Sequence, residues 1–143
     1  MTFSEQSFTK RLQTMGDIAE RAFEERYDQN FCRYGLNRPS INMAMLPPHL
    51  RYTPDYLTSQ ALVEVQGLGS DQILKVKLDK YESLKWWNKT HPVVLFVYDS
   101  SNDRCAALPF TRLRGLFKNA EIDSFPEGKE YYAVPAALIW TEE

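Results

Sequence analysis

The run PVVLFVYD, from Pro92 to Asp99, limits the fold more than any other part of this sequence. A nearly unbroken series of Val, Leu and Phe is typical of a β-strand that is covered on both faces. Such a strand lies within a sheet that has helices against its two sides, so the run predicts an α/β fold. With 143 residues and 43% hydrophobic content, the chain is expected to form one domain around one core.

The residues before this run predict a helix, three strands and a second helix. Apolar residues at helical spacing predict a first helix that ends at about Tyr27. Its apolar stripe consists of Phe8, Leu12, Met15, Ala19, Ala22 and Phe23. The three strands are predicted at 40–46, 51–57 and 61–67. A turn is expected at 58–60, and the second helix from about Gln72 to Asn88.

The residues after the run predict a small β-α-β extension. A short strand is expected in CAALPF, a basic helix in TRLRGLFKN, and a last strand within EYYAVPAALIW. The whole prediction is one domain over 1–143, with an αβββαβ core at about 5–99 and the extension at about 100–143. The core is expected to be a mixed sheet flanked by helices.

Composition and charge exclude several classes of protein. The start MTFSEQSFTKRL lacks the apolar centre of a signal peptide, and no run approaches the roughly 18 apolar residues that cross a bilayer. We therefore expect a cytoplasmic protein without membrane contact, in the host cytoplasm if the source is viral. Cys32 and Cys105 are far apart and lack zinc-site spacing, so free thiols are expected. A net charge of −2 argues against binding of nucleic acid by an overall positive charge, so any contact with nucleic acid must come from local basic patches.

The stretch RYTPDYLTSQALVEVQGL, from Arg51 to Leu68, brings acidic residues together. Alternation along a strand puts Glu64 and Gln66 on one face, and a tight turn brings Asp55 across from them. Two facing carboxylates repel each other unless a hard cation such as Mg²⁺ neutralises them. The stretch is therefore a candidate metal site, and the alternative, which two acids at this spacing by themselves favour, is an ordinary hairpin with solvated acids.

The same residues resemble the active-site hairpin of the PD-(D/E)xK nuclease superfamily. Pro54 and Asp55, eight residues, and then Glu64, Val65 and Gln66 follow that layout. The segments RYTPDYL and LVEVQGL are similar to the active-site hairpin of phage Holliday-junction-resolving endonucleases. The resemblance covers about Gly16 to Asp99. It implies a restriction-endonuclease-like core, Mg²⁺ or Mn²⁺ as cofactor and DNA as partner. Relatives that cut junctions are commonly dimers, so a homodimer is a further expectation.

The resemblance also implies roles for individual residues. Asp55 and Glu64 are expected to bind the metal, together with the carbonyl of Val65. The segment GDIAE resembles the part of helix one that supplies a further acid in many relatives, and Glu20 ends it. At 100° per residue Glu20 falls at the border of the apolar stripe, beside Tyr27, where it can face the metal site. The alternative is that Glu20 is one more solvated acid.

Gln66 departs from the pattern, because most relatives carry a lysine at this position. That lysine orients or deprotonates the attacking water and stabilises charge on the phosphate. Glutamine can position water by hydrogen bonds, as in some active members with Gln or Glu there. A second explanation moves the lysine to the next helix, where Lys77 and Lys80 lie inside the apolar arc. A third is a degenerate site that only binds nucleic acid.

Other polar and aromatic residues are weaker candidates. Lysines of the predicted second helix and the basic segment near the C-terminus are candidate phosphate contacts or an ordinary solvated face. They are Lys75, Lys77, Lys80, Lys85, Arg112, Arg114 and Lys118. Trp86 and Trp87 are expected to pack in the core and at its rim. The leading hypothesis is a Mg²⁺-dependent DNA nuclease, with branched, recombination or repair DNA as its candidate substrates. The alternative is an inactive nuclease-like nucleic-acid-binding or assembly module.

Overall fold

The structure, a computed structural model, describes residues 8–27, 30–34 and 47–140. Within these residues the chain forms five helices and eight strands. The helices are α1 Phe8–Arg26, α2 Pro48–Arg51, α3 Leu78–Trp87, α4 Phe110–Phe117 and α5 Ala137–Trp140. The strands are β1 Phe31–Arg33, β2 Tyr56–Thr58, β3 Leu62–Leu68, β4 Ile73–Lys77, β5 Val93–Asp99, β6 Arg104–Pro109, β7 Glu121–Ser124 and β8 Glu130–Pro135.

A five-stranded mixed sheet in the order β1-β2-β3-β5-β6 forms the centre of the protein. β2 is antiparallel to both β1 and β3, β5 is parallel to β3, and β6 is antiparallel to β5. The parallel pair extends from Leu62 opposite Val93 to Leu68 opposite Asp99. A parallel pair needs a crossover connection, and β4 with α3 supplies it. The predicted α/β class, with a mixed sheet flanked by helices, is confirmed.

The two faces of this sheet bury different sets of side chains. Helix α1 covers one face, where Phe23 packs with Val63, Val65 and Phe96. The opposite face carries the larger core, to which α3, α4 and a second sheet contribute. Leu62, Leu68, Leu95, Val97, Leu84 and Leu113 are members of this larger core. β5 is therefore covered on both faces, as its apolar sequence predicts.

The second sheet has the order β4-β8-β7 and is antiparallel throughout. Its strands come from two distant parts of the chain, because β4 precedes α3 while β7 and β8 follow α4. The residues after 99 thus add β6 to the central sheet and pair β8 with β4. Val134 and Ile139 belong to the same core as Leu62, so the C-terminal elements share the larger core.

The predicted helix from Gln72 to Asn88 is wrong in its first part, because residues 73–77 form strand β4. Leu74 and Val76 are fully buried and alternate with half-buried lysines, which is the period of a strand. The helix begins only at Leu78. Pairing with β8, far along the chain, overrides the helical propensity of this segment.

The predicted strand at 51–57 is also wrong in its first part. Helix α2 extends to Arg51, and strand β2 begins only at Tyr56. Pro54 lacks the backbone N–H that a continuous strand would donate, so the chain enters the sheet after it. The turn at 58–60 is confirmed, and the Thr58 hydroxyl accepts hydrogen bonds from the amides that follow it.

The remaining predictions divide by segment. The strand predicted at 40–46 lies outside the described residues, and β1 was not expected from the sequence. β6 and α4 match the predicted strand and basic helix. The last predicted strand is β8, and the C-terminal part of the segment EYYAVPAALIW forms helix α5 instead. β7 pairs with β8 across a turn in which Gly128 has a φ of 95°. Among the described residues no helix is long and apolar enough to cross a membrane.

Candidate functional site

The carboxylate of Asp55 lies at the end of the ladder between β2 and β3. The register pairs Tyr56 with Val63, so one residue further along Asp55 comes opposite Glu64. The Asp55 Oδ2 atom accepts a hydrogen bond from the backbone N–H of Val65 at 2.9 Å. The side chain thus takes the place of a backbone acceptor where β2 begins. This bond fixes Asp55 beside Glu64 on the face of the sheet that α3 covers.

Glu64 is a buried carboxyl group that is paired with a lysine from the next helix. Only 7% of the residue is exposed. The Lys80 ammonium, in the first turn of α3, lies 2.7 Å from Glu64 Oε2. The Lys80 side chain is itself 16% exposed, so both charges of this ion pair are largely removed from water.

Gln66 contacts the same lysine from the next position on this face. Its Oε1 atom accepts a hydrogen bond from Lys80 Nζ at 3.2 Å, and its Nε2 atom donates to the backbone carbonyl of Lys75 at 2.6 Å. The two contacts fix which end of the amide faces the ammonium. The ammonium of Lys80 therefore bridges Glu64 and Gln66.

The environment changes the protonation of both partners. The pKa of Glu64 is raised to about 8, chiefly by burial and also by the neighbouring charge of Asp55, whereas Lys80 acts in the opposite direction. Burial alone would lower the pKa of Lys80, but the carboxylates of Glu64 and Asp55 outweigh it and raise that pKa above its usual value. The site thus holds two carboxyl groups around one ammonium, and a second cation would favour ionisation of both acids.

Glu20 approaches the site from α1. Its carboxylate lies 3.1 Å from the guanidinium of Arg33. Burial raises the pKa of Glu20, Arg33 opposes this, and the negative charge of Asp55 raises it again. Glu20 is therefore within electrostatic reach of Asp55, while its closest charged partner is Arg33. As a direct metal ligand, Glu20 stays a prediction.

Arg33 is a site residue that sequence reasoning missed. Its guanidinium lies 4.9 Å from the centre of the Tyr56 ring and donates to the Tyr56 hydroxyl at 3.0 Å. That hydroxyl in turn donates to Glu24. Arg33 connects Glu20 on α1 to the start of β2, and it leaves 43% of its side chain exposed beside the acids. Because β1 has only three residues, no periodicity could have predicted this position.

Two other predicted site residues are placed differently. Lys77 is the last residue of β4, and its ammonium lies 5.7 Å from the centre of the Phe125 ring. The Lys77 ammonium therefore lies beside Phe125, the residue that follows β7, whereas the Lys80 ammonium lies beside Glu64. Val65 is buried on the α1 face of β3, and its amide is used by Asp55. Its carbonyl as a metal ligand stays a prediction.

The donor groups of this site suit a particular kind of metal binding. In the described part of the chain, no three His, Cys, Asp or Glu side chains are placed to hold a metal ion together. Mg²⁺ in phosphate-processing sites is often held by one or two carboxylates, with substrate oxygens and waters completing the octahedron. Asp55, Glu64 and the carbonyl of Val65 fit that arrangement. They do not form an all-protein cage.

Comparison of the chain with protein-family models, with curated proteins and with solved structures gave no match. The function of the protein is therefore inferred from the geometry around Asp55, Glu64, Gln66 and Lys80.

Proposed function

We propose that the protein is a Mg²⁺-dependent nuclease that hydrolyses phosphodiester bonds of DNA. The contact of Lys80 with both Glu64 and Gln66 carries this proposal. In this proposal the Lys80 ammonium, which contacts Glu64 and is within electrostatic reach of Asp55, does the work of the missing motif lysine. Acids that can hold a cation and an ammonium that can approach a phosphate are the two requirements of metal-assisted phosphodiester hydrolysis.

The order of the elements supports the proposal. Helix α1, strands β1, β2 and β3, helix α3 and strand β5 occur in this order along the chain, which is compatible with the αβββαβ core that the resemblance implies, although helix α2 lies between β1 and β2. Their pairing, antiparallel up to β3 and parallel from β3 to β5, gives one mixed sheet. β4 is an additional strand between β3 and α3, and it belongs to the second sheet.

Each residue of the site has a role in this proposal. Asp55, Glu64 and the carbonyl of Val65 would hold the cation, which supplies positive charge and lowers the pKa of a water molecule. Lys80 would leave Glu64 once that carboxylate has another cation beside it. Its ammonium then stabilises the negative charge that develops on the phosphate. Gln66, held by the carbonyl of Lys75, orients this ammonium.

Cleavage of a panel of labelled DNA forms tests the proposal. The panel holds single strands, duplexes, flaps and four-way junctions, each incubated with Mg²⁺, with Mn²⁺ and with a chelator. Wild-type protein is expected to cleave at least one form with a divalent cation, and Asp55→Asn and Glu64→Gln to abolish this. Glu82→Gln, an exposed acid of α3, is the matched control and should keep full activity. If the wild type cuts no form and binds no divalent cation, the proposal is wrong.

A nuclease-like module without catalysis is the second candidate function. The observation in its favour is that Glu64 is buried and already neutralised by Lys80, with glutamine at the motif lysine position. Such a module would bind DNA equally well with a chelator and with Mg²⁺, and would cut none of the panel. Asp55→Asn would leave its DNA affinity unchanged.

A further inference from the structure

We propose that an exposed row of aromatic side chains beside the acidic site binds the bases of an unpaired DNA strand. This inference rests on the proposed function, because it names the class of substrate that reaches the site. The aromatic row consists of Tyr34, His49, Trp86 and Trp87. Sequence reasoning expected the two tryptophans to pack in the core and at its rim, but Trp86 is 44% exposed and Tyr34 is 41% exposed.

Each ring of the aromatic row contacts the next one in space, in the order His49, Trp86, Trp87 and Tyr34. The His49 ring lies against Trp86 with centroids 4.5 Å apart and planes at 30°. Trp86 meets Trp87 nearly at right angles at 5.1 Å, and Trp87 meets Tyr34 at 5.8 Å. The rings come from three parts of the chain, namely the residue that follows β1, helix α2 and the last turn of α3. The row is therefore a continuous aromatic surface.

Trp87 anchors this surface to the protein. Its indole N–H donates to the carbonyl of His49 at 2.8 Å, and its ring packs against the larger core. Trp86, by contrast, leaves almost half of its surface to solvent while resting on His49. A ring that is held in place before a ligand arrives loses little conformational entropy on binding. This favours the stacking of a flat partner on Trp86.

The aromatic row is linked to the acidic site through Tyr34 and through helix α3. Lys80 and Trp86 lie on the same helix, about 9 Å apart along its axis at about 1.5 Å per residue and about 120° apart around it at about 100° per residue. Tyr34, at one end of the row, directly follows Arg33, which pairs with Glu20, and its backbone N–H donates to the carbonyl of Asp55 at 2.9 Å. A strand whose phosphate lies at the acids can thus extend its neighbouring bases over the row.

The charge around Trp86 suits a nucleic-acid strand. Lys85 and Lys89 flank it and are exposed, and neither makes an ion pair with a residue that the structure describes. Glu82 is the acid closest in sequence, one turn earlier on α3. Proteins that bind single strands combine cations for the phosphates with aromatic rings for the bases, and this combination is what surrounds Trp86.

The aromatic row also selects between forms of DNA. The faces of bases in a duplex are stacked on one another, so they are available to Trp86 only where the strand is unpaired. The expected substrates are therefore single strands and the unpaired arms of flaps. An intact duplex would meet the lysines but could not stack on the rings.

Binding of a fluorescently labelled oligothymidylate in the presence of a chelator tests the inference without cleavage. Trp86→Ala is expected to weaken this binding about 5- to 150-fold, the effect of losing one base–aromatic stack. Trp86→Phe, which keeps an aromatic face, should retain most of the affinity. Ile122→Ala, at a 52% exposed apolar residue of β7, is the matched control and should bind like wild type. Binding of a perfect duplex should be the same for all four proteins.

The tryptophan emission of the wild type gives a second measurement that needs no variant. Stacking on Trp86 is expected to quench it when oligothymidylate binds. Equal affinity of wild type and Trp86→Ala for the single strand overturns the inference, and so does absence of both binding and quenching in the wild type. Self-association that Trp86→Ala abolishes would identify a second copy as the occupant and also overturn it. If the wild type still cleaves DNA in these cases, the proposed nuclease function survives; cleavage of no DNA form together with no binding of a divalent cation would refute that function independently.

Discussion

The ammonium of Lys80 lies 2.7 Å from the carboxylate of Glu64, between α3 and the central sheet. Removing two such charges from water costs several kcal/mol for each ion, and their attraction offsets this only where further hydrogen bonds hold them. Gln66 supplies one such bond to the ammonium. A buried pair of this kind contributes little net stability compared with apolar residues, so its value to the protein is better explained by the site that it forms.

Removal of the ammonium is expected to open the acidic pair to metal ions. In Lys80→Met no ammonium competes with a divalent cation for Glu64, so the affinity for Mn²⁺ should increase when it is measured by calorimetric titration. Loss of Lys80 also raises the pKa of Glu64, so the titration is made at the highest pH at which Mn²⁺ stays in solution. Lys77→Met is the matched control, because the Lys77 ammonium lies over Phe125, and its affinity should equal that of wild type. Equal Mn²⁺ affinity in Lys80→Met and wild type would show that Lys80 does not occupy the cation position.

Glu64 is expected to make the stability of the protein depend on pH. Its pKa is about 8 in the folded state against an ordinary value of 4.5, so the folded state binds more protons between these values. The contribution of Glu64 to stability is present below pH 4.5 and is lost as the pH rises through 8.

Urea unfolding across this pH range measures the effect. Relative to wild type, Glu64→Gln should become progressively more stable as the pH rises, because glutamine has no proton to lose. The free energy of unfolding of Glu82→Gln should change with pH in the same way as that of wild type. A constant difference between Glu64→Gln and wild type at every pH contradicts a raised pKa at Glu64.

Glu20 is expected to act through its neighbours. Its carboxylate holds Arg33 and adds negative charge near Asp55, so Glu20→Gln should lower the rate of metal-dependent cleavage about 10- to 100-fold, the usual cost of losing an outer partner of a metal site. Glu25→Gln, an exposed acid on the same helix, is the control. Full activity in Glu20→Gln at limiting Mg²⁺ would remove Glu20 from the site.

Asp99 is a buried carboxylate whose role is expected to be structural. It accepts hydrogen bonds from the side chains of Gln72, Asn102 and Arg104 and from the amide of Ser101. Burial alone would raise the pKa of Asp99, but these hydrogen bonds, that of Asn102 first, lower it. Its contribution to stability is thus present above pH 3.8 and is lost as the pH falls below that value.

Asp99→Asn should therefore destabilise the fold by about 2 kcal/mol at neutral pH, since an amide N–H₂ would face these donors. Its effect should shrink in acid, where wild-type Asp99 also loses its charge. Urea unfolding of both proteins at neutral and acidic pH measures this, and equal stability at neutral pH would contradict the role assigned to Asp99.

The sequence could predict elements whose pattern is local. The apolar run at 92–99 forms β5, and the segment with helical spacing that ends near Tyr27 forms α1. Both could be predicted because the pattern of apolar residues along a short segment indicates which of its faces are buried. It could not predict β4, because this strand depends on pairing with β8, more than fifty residues further along the chain. Local propensity alone made the segment a helix.

The candidate site divides in the same way. Strand alternation predicted that Glu64 and Gln66 share a face, and the hairpin register brings Asp55 to them. Lys80 was one of two candidate lysines, and the choice between them depends on α3 beginning at Leu78 rather than at Gln72. Arg33 could not be found, because a lone arginine on a three-residue strand has no pattern that distinguishes it from a surface residue.

The rate of Mg²⁺-dependent cleavage by three proteins tests the central claim that a lysine of α3 serves the motif position of Gln66. Lys80→Met should lower the rate about 100- to 1000-fold, the usual cost of losing one group that stabilises charge in the transition state. Adding Gln66→Lys to this variant should restore a substantial part of the wild-type rate, because the ammonium then returns from the strand side. Cleavage by Lys80→Met at the wild-type rate, or no gain from the added Gln66→Lys, would contradict the account.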